Sequence, residues 1–300
     1  MKTPAAHHSP GQRGRTTVRI AAWPFVGAAS ICLAGLLLSY RFYIKTTTGQ
    51  FIDESALVEA AVVRRRIGVQ SAQVLDLLPV TSVVLAVVVV LFVTLARRRW
   101  KAAGIALAAM AAANLSTQLI KAGLPDRPDL GVNTLALNSL PSGHSTLAAS
   151  AAAAVFLVVS PRLRPAAAFV GGSYAIMAGI STLINQWHRP SDVVAAFFIV
   201  SFWTALAALF ILRSGPRWNV WLGSGSHWAS SRWWTGWSAL AAVLAGVAAA
   251  LLLRHVTATG GTSTISYFLV GVAQIVAAGS GLTIAGTLLL TFPVRRRSRR

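Results

Sequence analysis

"LLPVTSVVLAVVVVLFVTLA", Leu77 to Ala96, runs for twenty residues without a charged side chain and is followed at once by Arg97, Arg98 and Arg99. An α-helix rises ~1.5 Å per residue, so about 20 apolar residues cross the ~30 Å of hydrocarbon in a bilayer. Working outward, comparable stretches recur at 20–40, 102–121, 144–160, 165–185, 190–212, 236–253 and 264–292, which with 77–96 makes eight candidate spans. Alternation of apolar and polar residues, which a membrane barrel requires, is missing, and runs such as "ASAAAAVFLVVS" (Ala149–Ser160) have the composition of helices. The sequence therefore predicts an all-α, polytopic transmembrane helix bundle. Composition agrees: 55% of the 300 residues are hydrophobic, 11% are charged, and the mean hydropathy is +0.63.

A formal charge of +20 invites a nucleic-acid reading, but no soluble basic domain with interleaved aromatic residues exists to carry one. The placement of the charges accounts for them better. With eight spans and an inner N-terminus, 18 of the 27 basic residues fall on the cytoplasmic side, in the N-terminal tail, at Arg97–Lys101, at Arg162 and Arg164, at Arg213, Arg217 and Arg232, and in the C-terminal tail. This asymmetry predicts both termini inside. All seven acids, Asp53, Glu54, Glu59, Asp76, Asp126, Asp129 and Asp192, then lie on the outer side. The first apolar stretch follows a basic start, as in a signal peptide, but its length and the want of a small-residue cleavage site predict a retained helix. The single cysteine, Cys32, lies within it and leaves no intramolecular disulfide to form.

Residues 1–19 and 294–300 read as disordered basic tails that touch anionic lipid, with His7 and His8 incidental to the first. Residues 41–76 read as the longest outer loop, carrying an interfacial amphipathic helix. Trp218, Trp221, Trp228, Trp233, Trp234 and Trp237 crowd residues 214–235 and read as an aromatic belt at the inner surface. No internal repeat of fixed period is present, which removes support for an inverted-repeat transporter.

Chemistry concentrates at the outer ends of the third to sixth spans, in "KAGLPDRP" (Lys121–Pro128), "PSGH" (Pro141–His144) and "STLINQWHRPSD" (Ser181–Asp192). Each has an ordinary explanation alone. Lys121 suits a helix C-terminus, Arg127 a solvated turn, Pro141–Gly143 a turn and cap, and Asp192 the first turn of a helix. Together they make a phosphate site. The free N–H groups at the start of the fourth helix form a cradle, to which the Ser142 hydroxyl adds a donor. Lys121 and Arg127 add positive charge, the arginine with a fork that matches two phosphate oxygens. His144 and His188 flank the anion, and an imidazole oriented by Asp192 can attack phosphorus while the other protonates the leaving alkoxide.

These three elements, in this order, resemble the type 2 phosphatidic acid phosphatase superfamily, whose pattern is Lys…Arg-Pro, Pro-Ser-Gly-His and Ser-Arg-x5-His-x3-Asp. The likeness covers roughly residues 75–215 and implies a six-helix catalytic core over 20–213, with two additional helices over 236–293. It implies phosphate binding by Lys121, Arg127, Ser142 and Gly143, a general acid in His144, a nucleophile forming a phosphohistidine in His188, and an orienting carboxylate in Asp192. It implies no metal and no other cofactor. The substrate expected is a lipid phosphate or polyprenyl diphosphate at the outer leaflet of a bacterial plasma membrane, with membrane lipids as the surroundings.

Two departures from the pattern stand out. Five residues, Ala122–Asp126, separate the lysine from Arg127 where the family has six, and Thr182 stands where the family has an arginine on phosphate. Arg189 is the nearest replacement in sequence. The departures keep two alternatives open, a catalytically impaired protein that binds a lipid phosphate or a partner, and a phosphotransferase. A vanadate-dependent haloperoxidase, which shares the family's site, sits poorly with eight spans.

Overall fold

The computed structural model describes residues 20–134, 138–214 and 227–295, all helix and connection with no strand among them. The helices are α1 (Trp23–Lys45), α2 (Thr47–Arg97), α3 (Trp100–Gly123), α4 (Gly143–Val158), α5 (Arg164–Ile184), α6 (Pro190–Ser214), α7 (Trp233–Ala258) and α8 (Ser266–Arg295). Among the described residues six of them, α1, α3, α5, α6, α7 and α8, are long and apolar enough to cross a membrane. The protein is an integral, polytopic helical membrane protein. The N-terminal tail, Trp218 and Trp221, and Arg296–Arg300 lie outside the described residues.

One expectation of the sequence is corrected. Residues 47–76 are not a loop with a separate surface helix: they continue without a break into the second apolar stretch, giving one helix of 51 residues. Thr46 caps its start, its hydroxyl accepting from the Gly49 N–H at 3.0 Å, and the run that follows is rich in Ala, Val, Gln, Glu and Arg with no proline until Pro79. At ~1.5 Å per residue this helix is about 76 Å long, far more than a bilayer needs. The fourth span, expected over 144–160, is helical over Gly143–Val158. α4 has 16 residues, or about 24 Å, because Pro161 follows closely and turns the chain toward α5.

The N-terminal half of α2 lies against the ends of α5 and α7 and the starts of α6 and α8. Ala56 packs with Val256 and Tyr267, and Ala60 with Leu183, Val193, Phe268 and Ile275. Glu59 accepts a hydrogen bond from the Phe268 N–H at 2.9 Å, satisfying one of the free donors at the start of α8. α8 in turn is built into the core. A Cβ on Gly271 would come within 2.5 Å of Pro190, and one on Gly279 within 2.5 Å of Ile176, so small residues are what let α8 approach α5 and α6. At the other end of the bundle Arg99 donates from Nη1 to the Val158 and Val159 carbonyls (2.7 and 3.0 Å) and so caps α4. Large apolar side chains such as Leu38, Phe92, Leu119 and Leu251 remain exposed, as lipid-facing residues must.

Candidate functional site

The starts of α4 and α6 meet at one end of the bundle. Ser142 precedes α4 and caps it, its Oγ accepting from the Ser145 N–H at 3.2 Å. The Ser142 backbone N–H donates to the Asp192 carbonyl oxygen at 2.9 Å, tying the first turn of α4 to that of α6. In the connection from α5 to α6, Thr182 O accepts from both the Trp187 and His188 N–H groups, at 2.9 and 3.3 Å, and the Gln186 N–H donates to the Leu183 carbonyl at 2.9 Å. Gln186 at φ 61° provides the reversal, and Pro190 then opens α6 with its ring at a position where no N–H is needed.

This geometry brings the two histidines together. The ring centroids of His144 and His188 are 5.9 Å apart, with Trp187 4.9 Å from His144 on another side. His144 is exposed, whereas His188 is buried. The Nδ1 of His188, in the connection just ahead of α6, stands 3.5 Å from Asp192 Oδ2 in the first turn of that helix, an ion-pair distance. Asp192 is fully buried and held firmly, Oδ2 accepting from Ser139 Oγ at 2.6 Å and from the Arg189 N–H at 3.0 Å. With Nδ1 turned to the carboxylate, Nε2 is the nitrogen of His188 left to face a reacting group.

The cations fall into two kinds. The Arg127 guanidinium is buried, with Nη2 3.3 Å from Asp53 Oδ2 and 3.9 Å from Asp192 Oδ1, while its Nε and Nη1 have no partner. Arg189 has no donor nitrogen left over. Its Nε donates to Glu54 at 2.7 Å, Nη1 to Ser139 Oγ at 3.0 Å and Nη2 to Thr134 Oγ1 at 2.8 Å. Lys121 closes α3, half-buried, and is near enough to His144 for their charges to interact. Thr182 is fully buried and its hydroxyl donates to the Gly179 carbonyl within its own helix. A Cβ on Gly143 would meet only Gln118 Nε2 at 3.8 Å, so protein packing does not demand glycine there.

Several neighbours of this site gave no signal in the local sequence. Asp53 on α2 accepts from the Ser191 N–H (3.0 Å) and hydroxyl (2.6 Å) as well as from Arg127. Burial, and secondarily the Asp192 carboxylate, push Asp53 up to about 6 against the opposing pull of Arg127 and Ser191. Glu54 adds a hydrogen bond from Thr134 at 2.6 Å to its pair with Arg189. The scarcity of acids, seven in the chain with two adjacent at the head of α2, is the one feature that could have marked them. Asp129 only closes a turn, accepting from the Gly131 N–H at 2.9 Å. Among the described residues no three His, Cys, Asp or Glu side chains group as metal ligands would.

The arrangement offers a nucleophilic nitrogen, a second imidazole beside it, an unsatisfied buried guanidinium and the free N–H groups of a helix start. That set is suited to an anion that undergoes substitution. Compared with known proteins, residues 105–216 match the PAP2 superfamily, a segment that holds α3 to α6 and all three motifs but not α1, α2, α7 or α8. No curated protein and no solved structure matches the chain.

Proposed function

We propose, from a chain that is a PAP2-type integral membrane protein, that it hydrolyses a lipid phosphate monoester or a polyprenyl diphosphate at the outer leaflet. The observation that carries this is the pair of imidazoles 5.9 Å apart, one of them backed by a buried carboxylate. In the first step Nε2 of His188 attacks phosphorus. The P–N bond forms as the bond to the leaving oxygen breaks, and His144 gives that oxygen its proton. In the second step His144 takes a proton from water, the water oxygen attacks phosphorus, and the P–N bond breaks to release phosphate and restore both imidazoles. Asp192 stabilises the positive charge that develops on His188. Arg127, Lys121, Ser142 and the N–H groups at Gly143 hold the phosphoryl oxygens, where donors aimed at developing charge are worth most. Arg189, with its donors engaged by Glu54, Ser139 and Thr134, serves instead to fix the loop before α6.

The placement of basic residues supports an outward-facing site with both termini in the cytoplasm. Phosphate release from phosphatidate, lysophosphatidate and polyprenyl diphosphate in mixed micelles containing chelator, measured beside His188→Ala, tests the proposal. Chelator-resistant release that vanishes in the variant is expected; release that persists in His188→Ala would refute the phosphohistidine route.

Thr182 favours a second reading. With threonine in place of the family's arginine and Arg189 otherwise engaged, the phosphate keeps one guanidinium fewer, a difference of about 1.5–3 kcal/mol for a charge-assisted hydrogen bond. A protein that binds lipid phosphate without turning it over would retain headgroup binding in both proteins and release nothing from any substrate.

A further inference from the structure

Asp53 lies outside residues 105–216, yet it reaches the centre of the site. Its carboxylate, Arg127 and the Asp192 carboxylate form a chain, with separations of 3.3 and 3.9 Å, that ends at the Nδ1 of His188. Arg127 sits in the connection after α3, where no helix fixes its direction. Among the described residues its hydrogen-bonding partner is Asp53, with Asp192 farther off at 3.9 Å, and Asp53 is itself immobilised by two hydrogen bonds from Ser191 at the start of α6. Arg127 Nε and Nη1 are buried without an acceptor, a state that costs free energy unless a ligand supplies one.

We infer that Asp53 is a positioning residue of the phosphate site, which aims the two spare donors of Arg127 at the phosphoryl group and competes with that group for the same guanidinium. The inference rests on the proposed phosphatase reading and adds a residue from α2 to it. Two carboxylates already flank the guanidinium, so an arriving phosphate meets a cation whose charge is partly neutralised. The binding of substrate and product is weakened alike, and phosphate leaves readily after the second step. This is a uniform binding effect, which appears in KM and in product affinity in the same sense.

The test measures binding of radiolabelled inorganic phosphate to the full-length protein in detergent, together with kcat and KM on the best lipid substrate, for wild type, Asp53→Asn and Asp53→Glu. For Asp53→Asn, the expected result is phosphate binding and KM each tighter by roughly tenfold, the scale of one charge-assisted pair. kcat should fall with slower product release, and Asp53→Glu should return the affinity toward wild type. A purely structural role would lower the folded fraction and leave the phosphate affinity of the folded protein unchanged, and that result overturns the inference. If Asp53→Asn does not fold, Ser191→Ala takes its place. Losing the 2.6 Å hydrogen bond leaves the carboxylate more available to Arg127, so phosphate binding should weaken by about threefold, a small fraction of a charge-assisted bond; no change overturns the inference. Turnover in wild type with an unaltered affinity in the variants rejects the role of Asp53 alone. A wild type that neither turns over lipid nor binds phosphate rejects the phosphatase reading and this inference with it.

Discussion

Both ends of the bundle bury arginines, and they use them differently. At the end where α4 terminates Arg99 spends Nη1 on the Val158 and Val159 carbonyls, where α4 has no N–H groups left to satisfy them. At the end where α4 and α6 begin Arg127 is paired with Asp53 and, among the described residues, still has Nε and Nη1 unmatched. The first is a helix cap with a charge; the second is half of an interaction. The same side chain therefore marks structure where its donors meet backbone carbonyls and marks a ligand site where they are left over. Arg189, beside the candidate nucleophile in sequence, belongs to the first kind because Glu54, Ser139 and Thr134 use its donors.

The contrast can be broken by substitution at either end. The largest effect is expected from the histidines: His188→Ala should abolish phosphate release, and His144→Ala should lower kcat by about 10²–10⁴, the usual contribution of a general acid. Either variant keeping wild-type turnover would remove the site from this end of the molecule. Arg127→Ala comes next. It should lower kcat/KM by roughly tenfold to a hundredfold and also destabilise the fold by about 3–5 kcal/mol, because Asp53 and Asp192 would be left buried without their cation. Kinetics and a denaturation curve on the same preparation separate the two losses. Arg99→Met should do the reverse, costing about 1–3 kcal/mol for unsatisfied carbonyls while the kcat/KM of the folded fraction stays at the wild-type value. A change in kcat/KM there would end the distinction between the two ends.

The smallest effect is a pH dependence. The carboxyl of Asp53, raised to about 6 by burial and by Asp192, binds its proton more tightly in the folded protein than in the unfolded chain, where an Asp titrates near ~3.9. Its contribution to stability is thus fully present below about pH 4 and is lost as pH rises through about 6. Arg127, Asp192, Ser191 and Tyr43 are among the groups that face it. Measured against Asp53→Asn, whose side chain does not titrate, the wild type should lose part of its Tm advantage across that window. Parallel Tm curves for the two proteins would place the proton elsewhere.

Much of this was legible from the chain because the informative residues are local. Pro141–His144 and His188–Asp192 each fit within one turn of helix, so their spacing alone places them at helix starts, and the apolar runs announce an all-α membrane protein through length. What escaped depends on partners far away in sequence. Asp53 and Arg127 are separated by 74 residues, and nothing around Asp53 distinguishes it from a solvated acid on an amphipathic helix. The same polar face made residues 47–76 look like a surface segment. Its acids instead meet Arg127, Arg189 and the start of α8, contacts that a hydropathy pattern cannot contain.

The bond from the Ser142 N–H to the Asp192 carbonyl has a mechanical consequence. Bilayers thicken, thin and change composition, and membrane helices answer by tilting. Two catalytic groups on separately tilting helices would drift apart with each such change. Here the Ser142 N–H to Asp192 carbonyl bond joins the first turns of α4 and α6 at the end where His144 and His188 lie. Tilting that pivots about this bond would follow the lipid while leaving the gap between the two rings unchanged.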